Sequence, residues 1–284
     1  MTAPRTLLKA WNLLARKELG QNFLTEASLA ANIVDLARIG GDEVVLEIGA
    51  GLGAMTIAAA RRARRTIAVE KDSHLVPLLR AELMVQGLDQ VLIHEQNILA
   101  MDLLQISAEQ GQPLTVLGNL PYNISSQVLV KLIQERQVVR RAVLMFQKEL
   151  ADRLCAGPGS KTYGRLSVML QYCADLKVLR SVRPDMFYPK PKVGSVVLGI
   201  DFKSTIDPQV GNEALLGQVV QAAFGQRRKT MRNALAGGLL PLDNDSAMQV
   251  LQAADIDPRR RAETLNVAEF VALTDVVERY LASS

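Results

Sequence analysis

Asn119-Leu120-Pro121-Tyr122 closes a short apolar run, Leu114-Thr115-Val116-Leu117-Gly118, and its residue types suit one piece of chemistry. Pro121 fixes its own φ and drives Leu120 into an extended conformation, so carbonyls here turn away from any helix ladder. The Asn119 side-chain oxygen and the Leu120 carbonyl can then both accept hydrogens from a planar amine. The Tyr122 ring can lie against the flat face of the same group. Such a seat suits the exocyclic amino group of a nucleobase taken out of its stack. The same four residues also fit a plain strand-ending turn, with Asn as turn former and Tyr as core aromatic.

A second constellation lies upstream. Val44-Val45-Leu46-Glu47-Ile48 reads as a buried strand running into Gly49-Ala50-Gly51-Leu52-Gly53, with a helix expected from about Met55 to Arg62. Glycines let a ligand approach the backbone, and a helix N-terminus presents unpaired N–H groups, so Gly49 and Gly51 are candidate cofactor contacts. Glu70 ends the next strand, Thr66–Val69. A carboxylate there, about twenty residues past the glycine turn, can accept from both hydroxyls of a ribose; the alternative is a solvated strand-end acid. A third strand, Val91–Ile93, ends near Asn97, whose amide could read an adenine edge. The glycine pattern also fits the G-x-G-x-x-A dinucleotide fingerprint, which keeps a dehydrogenase open at this point.

These residues need a scaffold that brings strand ends together. A helix is expected from Glu26 to Ala37, a fifth strand over Ala142–Phe146, and a helix over Gln147–Leu154. A flexible basic loop, Gly157–Lys161, leads to a helix around Leu166–Tyr172 and two late strands, Leu176–Val182 and Ser195–Ile200. Strands alternating with helices imply an α/β domain, a mainly parallel sheet with helices on both faces. The last two strands lack a clear helix between them, which leaves antiparallel pairing open. Their connection carries three prolines, the cations Lys190 and Lys192, and the aromatics Phe187 and Tyr188. It is either a rigid loop with inward aromatics or a rim that stacks bases and contacts phosphates.

Composition narrows the classes. The chain has 284 residues, 49% hydrophobic and 22% charged, with a net charge of +4, a mild basic bias that permits nucleic-acid binding. Its two cysteines, Cys155 and Cys173, form no metal or redox spacing and are expected as buried free thiols. His74 and His94 are its only histidines and sit in no metal-like cluster, which argues against zinc chemistry and histidine triads. No metal is expected. No apolar run approaches the ~20 residues of a membrane span. Lys9 and Arg16 interrupt any signal-peptide core in the basic start, so the expected location is cytoplasmic, with a transit-like peptide as the lesser alternative.

Composition shifts near Ser204, which divides the chain into an expected α/β domain, residues 1–205, and a helical domain, residues 206–284. The tail holds eight basic and ten acidic residues, yet it concentrates positive charge at Arg227-Arg228-Lys229-Thr230-Met231-Arg232 and at Arg259-Arg260-Arg261. Such runs are solvated faces or phosphate contacts.

Taken in order, these motifs resemble the bacterial small-subunit (16S) ribosomal RNA adenine N6,N6-dimethyltransferases of the KsgA/RsmA type. The resemblance runs from Leu19 to about Leu265. It is carried by Leu19-Gly20-Gln21-Asn22-Phe23-Leu24, Glu47–Gly53, Asn119–Ile124, Gln147-Lys148-Glu149, Phe187–Val193 and the basic run from Phe224 to Asn233. It implies a Rossmann-like class I S-adenosylmethionine methyltransferase domain with a seven-stranded sheet, followed by a small helical domain that binds RNA or the ribosome. It places the cofactor against Asn22, Leu24, Gly49, Glu70, Asn97 and Asn119. It gives the catalytic seat to Asn119, Leu120, Pro121 and Tyr122, with Phe187 as a second stacking face, and RNA contact to Lys190, Lys192, Arg227, Arg228 and Lys229. Two departures stand out. Asn97 replaces the family's usual Asp, and Gly194 stands where the family often has Asp.

The resemblance further implies methylation of two adjacent adenosines in the 3′-terminal hairpin loop of small-subunit rRNA, on a 30S pre-ribosomal particle, by a monomeric enzyme of ribosome biogenesis. Related large-subunit rRNA adenine methyltransferases share the Asn-Leu-Pro-Tyr motif, but the Lys190-Pro191-Lys192 loop and the basic run resemble the small-subunit enzymes better. A non-catalytic ribosome-assembly or transcription-factor relative has no need of Asn119 and Tyr122 in this geometry. Hydride transfer has no place for Asn-Leu-Pro-Tyr.

Overall fold

The computed structural model describes residues 2–283. The chain forms two compact units: residues up to Ala151 together with Asp175–Phe202, and residues 152–174 together with the chain from Lys203 onward. In order, the elements up to the first crossing are α1 (Pro4–Ala10), β1 (Phe23–Leu24), α2 (Ala27–Leu36), β2 (Val44–Ile48), α3 (Ala54–Ala60), β3 (Arg65–Glu70), α4 (Val76–Val85), β4 (Leu92–Glu95), α5 (Leu103–Gln110), β5 (Leu114–Asn119), α6 (Ser125–Gln134), β6 (Val139–Gln147) and α7 (Lys148–Cys155). Then follow α8 (Arg165–Cys173), β7 (Ala174–Val182), β8 (Phe187–Tyr188), β9 (Ser195–Phe202), α9 (Glu213–Gly225), α10 (Met231–Leu235), α11 (Asn244–Ala253) and α12 (Val267–Ser283).

The first unit is an α/β domain around a seven-stranded sheet ordered β4-β3-β2-β5-β6-β9-β7. β2 pairs in parallel with β3 on one side and β5 on the other, and β9 runs antiparallel to β6. All five residues of β2 are buried, Glu47 among them, as expected of a mostly apolar strand covered on both faces. Leu29, Ile33 and Val34 of α2 and Met55, Ala58 and Ala59 of α3 pack with Val45, Leu117, Val143 and Val197 in one core cluster. Each such side chain contributes about 1.5–3 kcal/mol by leaving water. The strand order reverses between β2 and β5, and ligands of open parallel sheets bind outside the carboxyl ends of strands at that switch point. Gly49 follows β2 and Asn119 ends β5.

The second unit is helical. Leu216, Val219 and Val220 of α9 are buried, the Phe224 ring lies 6.0 Å from Tyr163 and 5.8 Å from Phe270, and Asp243 caps α11 through the N–H groups of Asp245 and Ser246. Residues 152–174 group with this unit, whereas the sequence assigned them to the α/β domain. Helical periodicity in α8 cannot say which core receives its apolar face. Cys173 is buried as expected, but Cys155 is exposed, because it sits at the last position of α7. Among the described residues no helix is long and apolar enough to cross a membrane.

Candidate active site

A cleft of about 1020 Å³ opens in the first unit, lined by Leu19–Leu24, the turn after β2, Glu70, Asn97, Asn119 and Pro121. The structure therefore brings together all seven residues expected at the cofactor: Asn22, Leu24, Gly49, Gly51, Glu70, Asn97 and Asn119.

The glycine turn is built for close approach. Gly51 holds φ +55°, and a Cβ there would stand 3.1 Å from the Phe23 ring. Its backbone donors are spent inside the fold. Gly49 and Ala50 N–H both donate to the Val69 carbonyl, Gly53 N–H to the Ala50 carbonyl, and Gly51 N–H to Glu70 Oε2 at 2.8 Å. Four donors of the turn, those of Gly49, Ala50, Gly51 and Gly53, are thus already used.

Glu70 is 7% exposed, and its other oxygen accepts from Asp72 N–H at 2.8 Å. Burial pushes its carboxyl above the ordinary carboxylate range, against the lowering effect of these two backbone donors. Glu47 also lines the cleft, is 2% exposed, and accepts from Thr56 Oγ1. Burial pushes its carboxyl up to about 8. Sequence reading assigned Glu47 no role. Its place in an apolar strand was a signal, since a carboxylate is rarely buried without purpose. Asn97 Oδ1 accepts from Leu99 N–H at 3.2 Å and so starts a short helical turn, a duty that occupies part of the oxygen expected to meet an adenine amine.

Around Asn119 the amide is oriented from outside the motif. Asn119 Nδ2 donates to the Asn22 carbonyl at 2.8 Å, which commits the nitrogen and leaves Oδ1 as the acceptor. Leu120 N–H is held by the Met145 carbonyl, and the Pro121 carbonyl accepts from Ile124 N–H and Ser125 Oγ. Gly20, at φ +65°, passes so close that a Cβ would stand 3.3 Å from Pro121 Cβ. Tyr122 is half-buried with its hydroxyl 3.3 Å from Ser195 Oγ, next to Gly194.

Phe187 departs from expectation. It pairs with Leu24 in the two-stranded ribbon β1–β8, is 4% exposed, and belongs to the core cluster with Val182 and Val197. Its ring is thus mostly covered in this structure. Two-residue strands carry no periodicity, which is why the sequence showed the ribbon only as loops. Lys190 and Lys192 are exposed. So are Arg227, Arg228 and Lys229, and Arg227 also donates to the Lys161 and Tyr163 carbonyls and pairs with Glu263 within the helical unit. In the second basic run, Arg259 pairs with Asp257 and Arg260 with Glu269, which spends most of its charge locally. Among the described residues no cluster of three potential metal ligands occurs.

A family model described as ribosomal RNA adenine dimethylase matches residues 12–273. A ribosomal RNA small subunit methyltransferase A from Desulforapulum autotrophicum is 48% identical over 277 residues, 98% of this chain and 97% of that protein. A dimethyladenosine transferase from Plasmodium falciparum matches in structure with a TM-score of 0.74 at 24% identity, over 88% of this chain and 95% of that one. The 23S rRNA methyltransferase ErmE matches with a TM-score of 0.68 at 22% identity, over 90% and 100%. These two structural likenesses show the fold, a class I methyltransferase domain. The family match and the near full-length identity carry more: the protein belongs to the ribosomal RNA adenine dimethylase family.

Proposed function

We propose that the protein transfers methyl groups from S-adenosylmethionine to N6 of two adjacent adenosines in the 3′-terminal hairpin loop of small-subunit ribosomal RNA. It works in the cytoplasm as a monomer on the pre-ribosomal particle. The observation that carries the reading is the amide of Asn119, lining the cleft with its nitrogen committed to Asn22 and its oxygen left to accept. The small-subunit choice is supported by the name of the 48% identical relative.

The residues fit the cofactor. The glycine turn excludes side chains where an adenosyl group must approach. The buried Glu70 carboxyl in the cleft suits a molecule bearing ribose hydroxyls. Bound S-adenosylmethionine supplies a methyl carbon already made electrophilic by its sulfonium. The protein therefore needs no strong nucleophile and no base before transfer. Asn119 Oδ1 and the Leu120 carbonyl accept the N6–H hydrogens, which favours a tetrahedral nitrogen and stabilises the positive charge that develops on it. Tyr122 stacks on the flipped base. The new C–N bond forms as the S–C bond breaks, and the N6 proton passes to solvent. Lys190, Lys192, Arg228 and Lys229 contact phosphates, and the helical unit supplies ribosome contact.

Small-subunit and large-subunit rRNA, each incubated with isotope-labelled S-adenosylmethionine, are digested and read by mass spectrometry. Dimethyladenosine at two adjacent positions of the small-subunit RNA is expected. Label confined to large-subunit RNA, or no dimethyladenosine, overturns the reading.

A further inference from the structure

Leu19–Leu24 form one wall of the cleft, and a buried carboxylate, Asp72, helps to hold the segment that leads into it. Asp72 Oδ2 accepts from Gln21 Nε2 at 2.7 Å, and Arg16 Nη1 stands 3.5 Å from Oδ1. Oδ1 also accepts from His74 N–H at 3.1 Å. Gln21 closes the arrangement by accepting Arg16 N–H on Oε1 at 2.8 Å. The Asp72 side chain is 2% exposed. Burial alone pushes its carboxyl up, but the Gln21 and His74 hydrogen bonds and the Arg16 charge outweigh that and hold it below the ordinary range.

The same residue touches both halves of the site, by its backbone on one side and its carboxylate on the other. The N–H of Asp72 donates to Glu70 Oε1 at 2.8 Å, on the side expected to meet the ribose. On the other side, the residue after Gln21 is Asn22, whose carbonyl takes Asn119 Nδ2 at 2.8 Å. Asn22 is itself folded back, with Nδ2 on the Gly20 carbonyl at 3.0 Å. A run of contacts thus leads from Asp72 through Gln21 and the Asn22 peptide to the Asn119 amide. The two ends of an amide differ only in which presents an acceptor, so a flip at Asn119 would show N6 a donor.

We propose that Asp72 is a positioning residue for methyl transfer, which through Gln21 fixes the Asn22 carbonyl and so holds the Asn119 amide with its oxygen toward the amino group. This rests on the role given to Asn119 above. Without the lock the segment drifts, the Asn22 carbonyl leaves Nδ2, and the amide populates both orientations. Substrate RNA still binds, since phosphate contacts lie elsewhere.

The test is a set of single-turnover rates at saturating S-adenosylmethionine and small-subunit particles for Asp72→Ala, Gln21→Ala, their double, and each in an Asn119→Ala background. Asp72→Ala and Gln21→Ala are each expected to slow transfer by roughly 10–100-fold, the scale of a misplaced catalytic group, with RNA affinity unchanged. The double should be no slower than Asp72→Ala alone, because both break one run of contacts. In the Asn119→Ala background neither change should slow transfer further, because no amide is left to orient. A merely structural role would instead multiply the losses there and overturn the proposal, as would wild-type rates in both single variants. Gln21→Ala carries the test if Asp72→Ala does not fold. If Asn119→Ala itself leaves the rate intact, the reading of Asn119 fails, which is distinct from losses that multiply.

Discussion

The side-chain nitrogen of Asn119 donates to the backbone carbonyl of Asn22, 97 residues earlier, at 2.8 Å. Asparagine is symmetric enough that nothing within Asn119-Leu120-Pro121-Tyr122 decides which end of the amide faces the substrate. The wall segment decides it, by taking the nitrogen. The orientation of the amide that ends β5 is therefore set by a carbonyl next to β1.

Asn119→Ala should slow methyl transfer by about 10²–10³-fold at saturating cofactor, by analogy with losing one transition-state hydrogen bond. Asn119→Asp should also be slow, because it sets a carboxylate oxygen against the Asn22 carbonyl. RNA affinity should hardly change in either. Single-turnover assays on small-subunit particles check this, and a near-wild-type rate for Asn119→Ala would reduce the motif to a turn.

Glu70 accepts from the glycine turn and, in the proposed function, also holds the ligand's ribose. Glu70→Ala should weaken S-adenosylmethionine binding by roughly 1.5–3 kcal/mol. It should also lower stability, because Gly51 and Asp72 N–H lose their acceptors. Calorimetry together with thermal melts separates the effects. Unchanged cofactor affinity in a folded variant removes Glu70 from the cofactor site.

The basic run divides by structure. Arg228→Ala with Lys229→Ala should weaken RNA binding and reduce the slope of log K against log salt by about 0.7–0.9 per lost phosphate contact. Arg227→Ala should chiefly destabilise the helical unit, since its guanidinium bridges the Lys161 and Tyr163 carbonyls and Glu263. Salt titrations and denaturant melts of the three variants test the division; an unaltered slope in the Arg228 and Lys229 pair would make that run only a solvated face.

Glu47 makes stability depend on pH. Its folded carboxyl lies at about 8 against an ordinary 4.5, so the folded protein holds a proton that the unfolded chain releases between those values. Stability from this group is full below 4.5 and is lost as pH rises toward 8. Glu70, raised in the same direction, adds to the slope. Glu47→Gln keeps the shape without the titration and should flatten the fall in melting temperature across that window. An equally steep fall in the variant would show that Glu47 is ionised in the folded protein.

The sequence by itself determined the α/β domain and the two strand ends at its centre. Short, mostly apolar runs such as Val44–Ile48 and Leu114–Gly118 read as covered strands by their length and β-branched content, and glycine or proline marks where each stops. Glu70 and Asn97 were legible because each follows a strand that must lie beside the last. Tertiary structure alone decided three other matters. It paired Phe23-Leu24 with Phe187-Tyr188, which took the Phe187 ring into the core, and two-residue strands far apart in the chain leave no local pattern. It consumed the glycine-turn donors and Arg227 in contacts inside the fold, and a residue's type does not say whether its hydrogen bonds are already made. It oriented the Asn119 amide through Asn22, because the orientation of a side chain with equivalent shapes belongs to its neighbours in space and not to its neighbours in the chain.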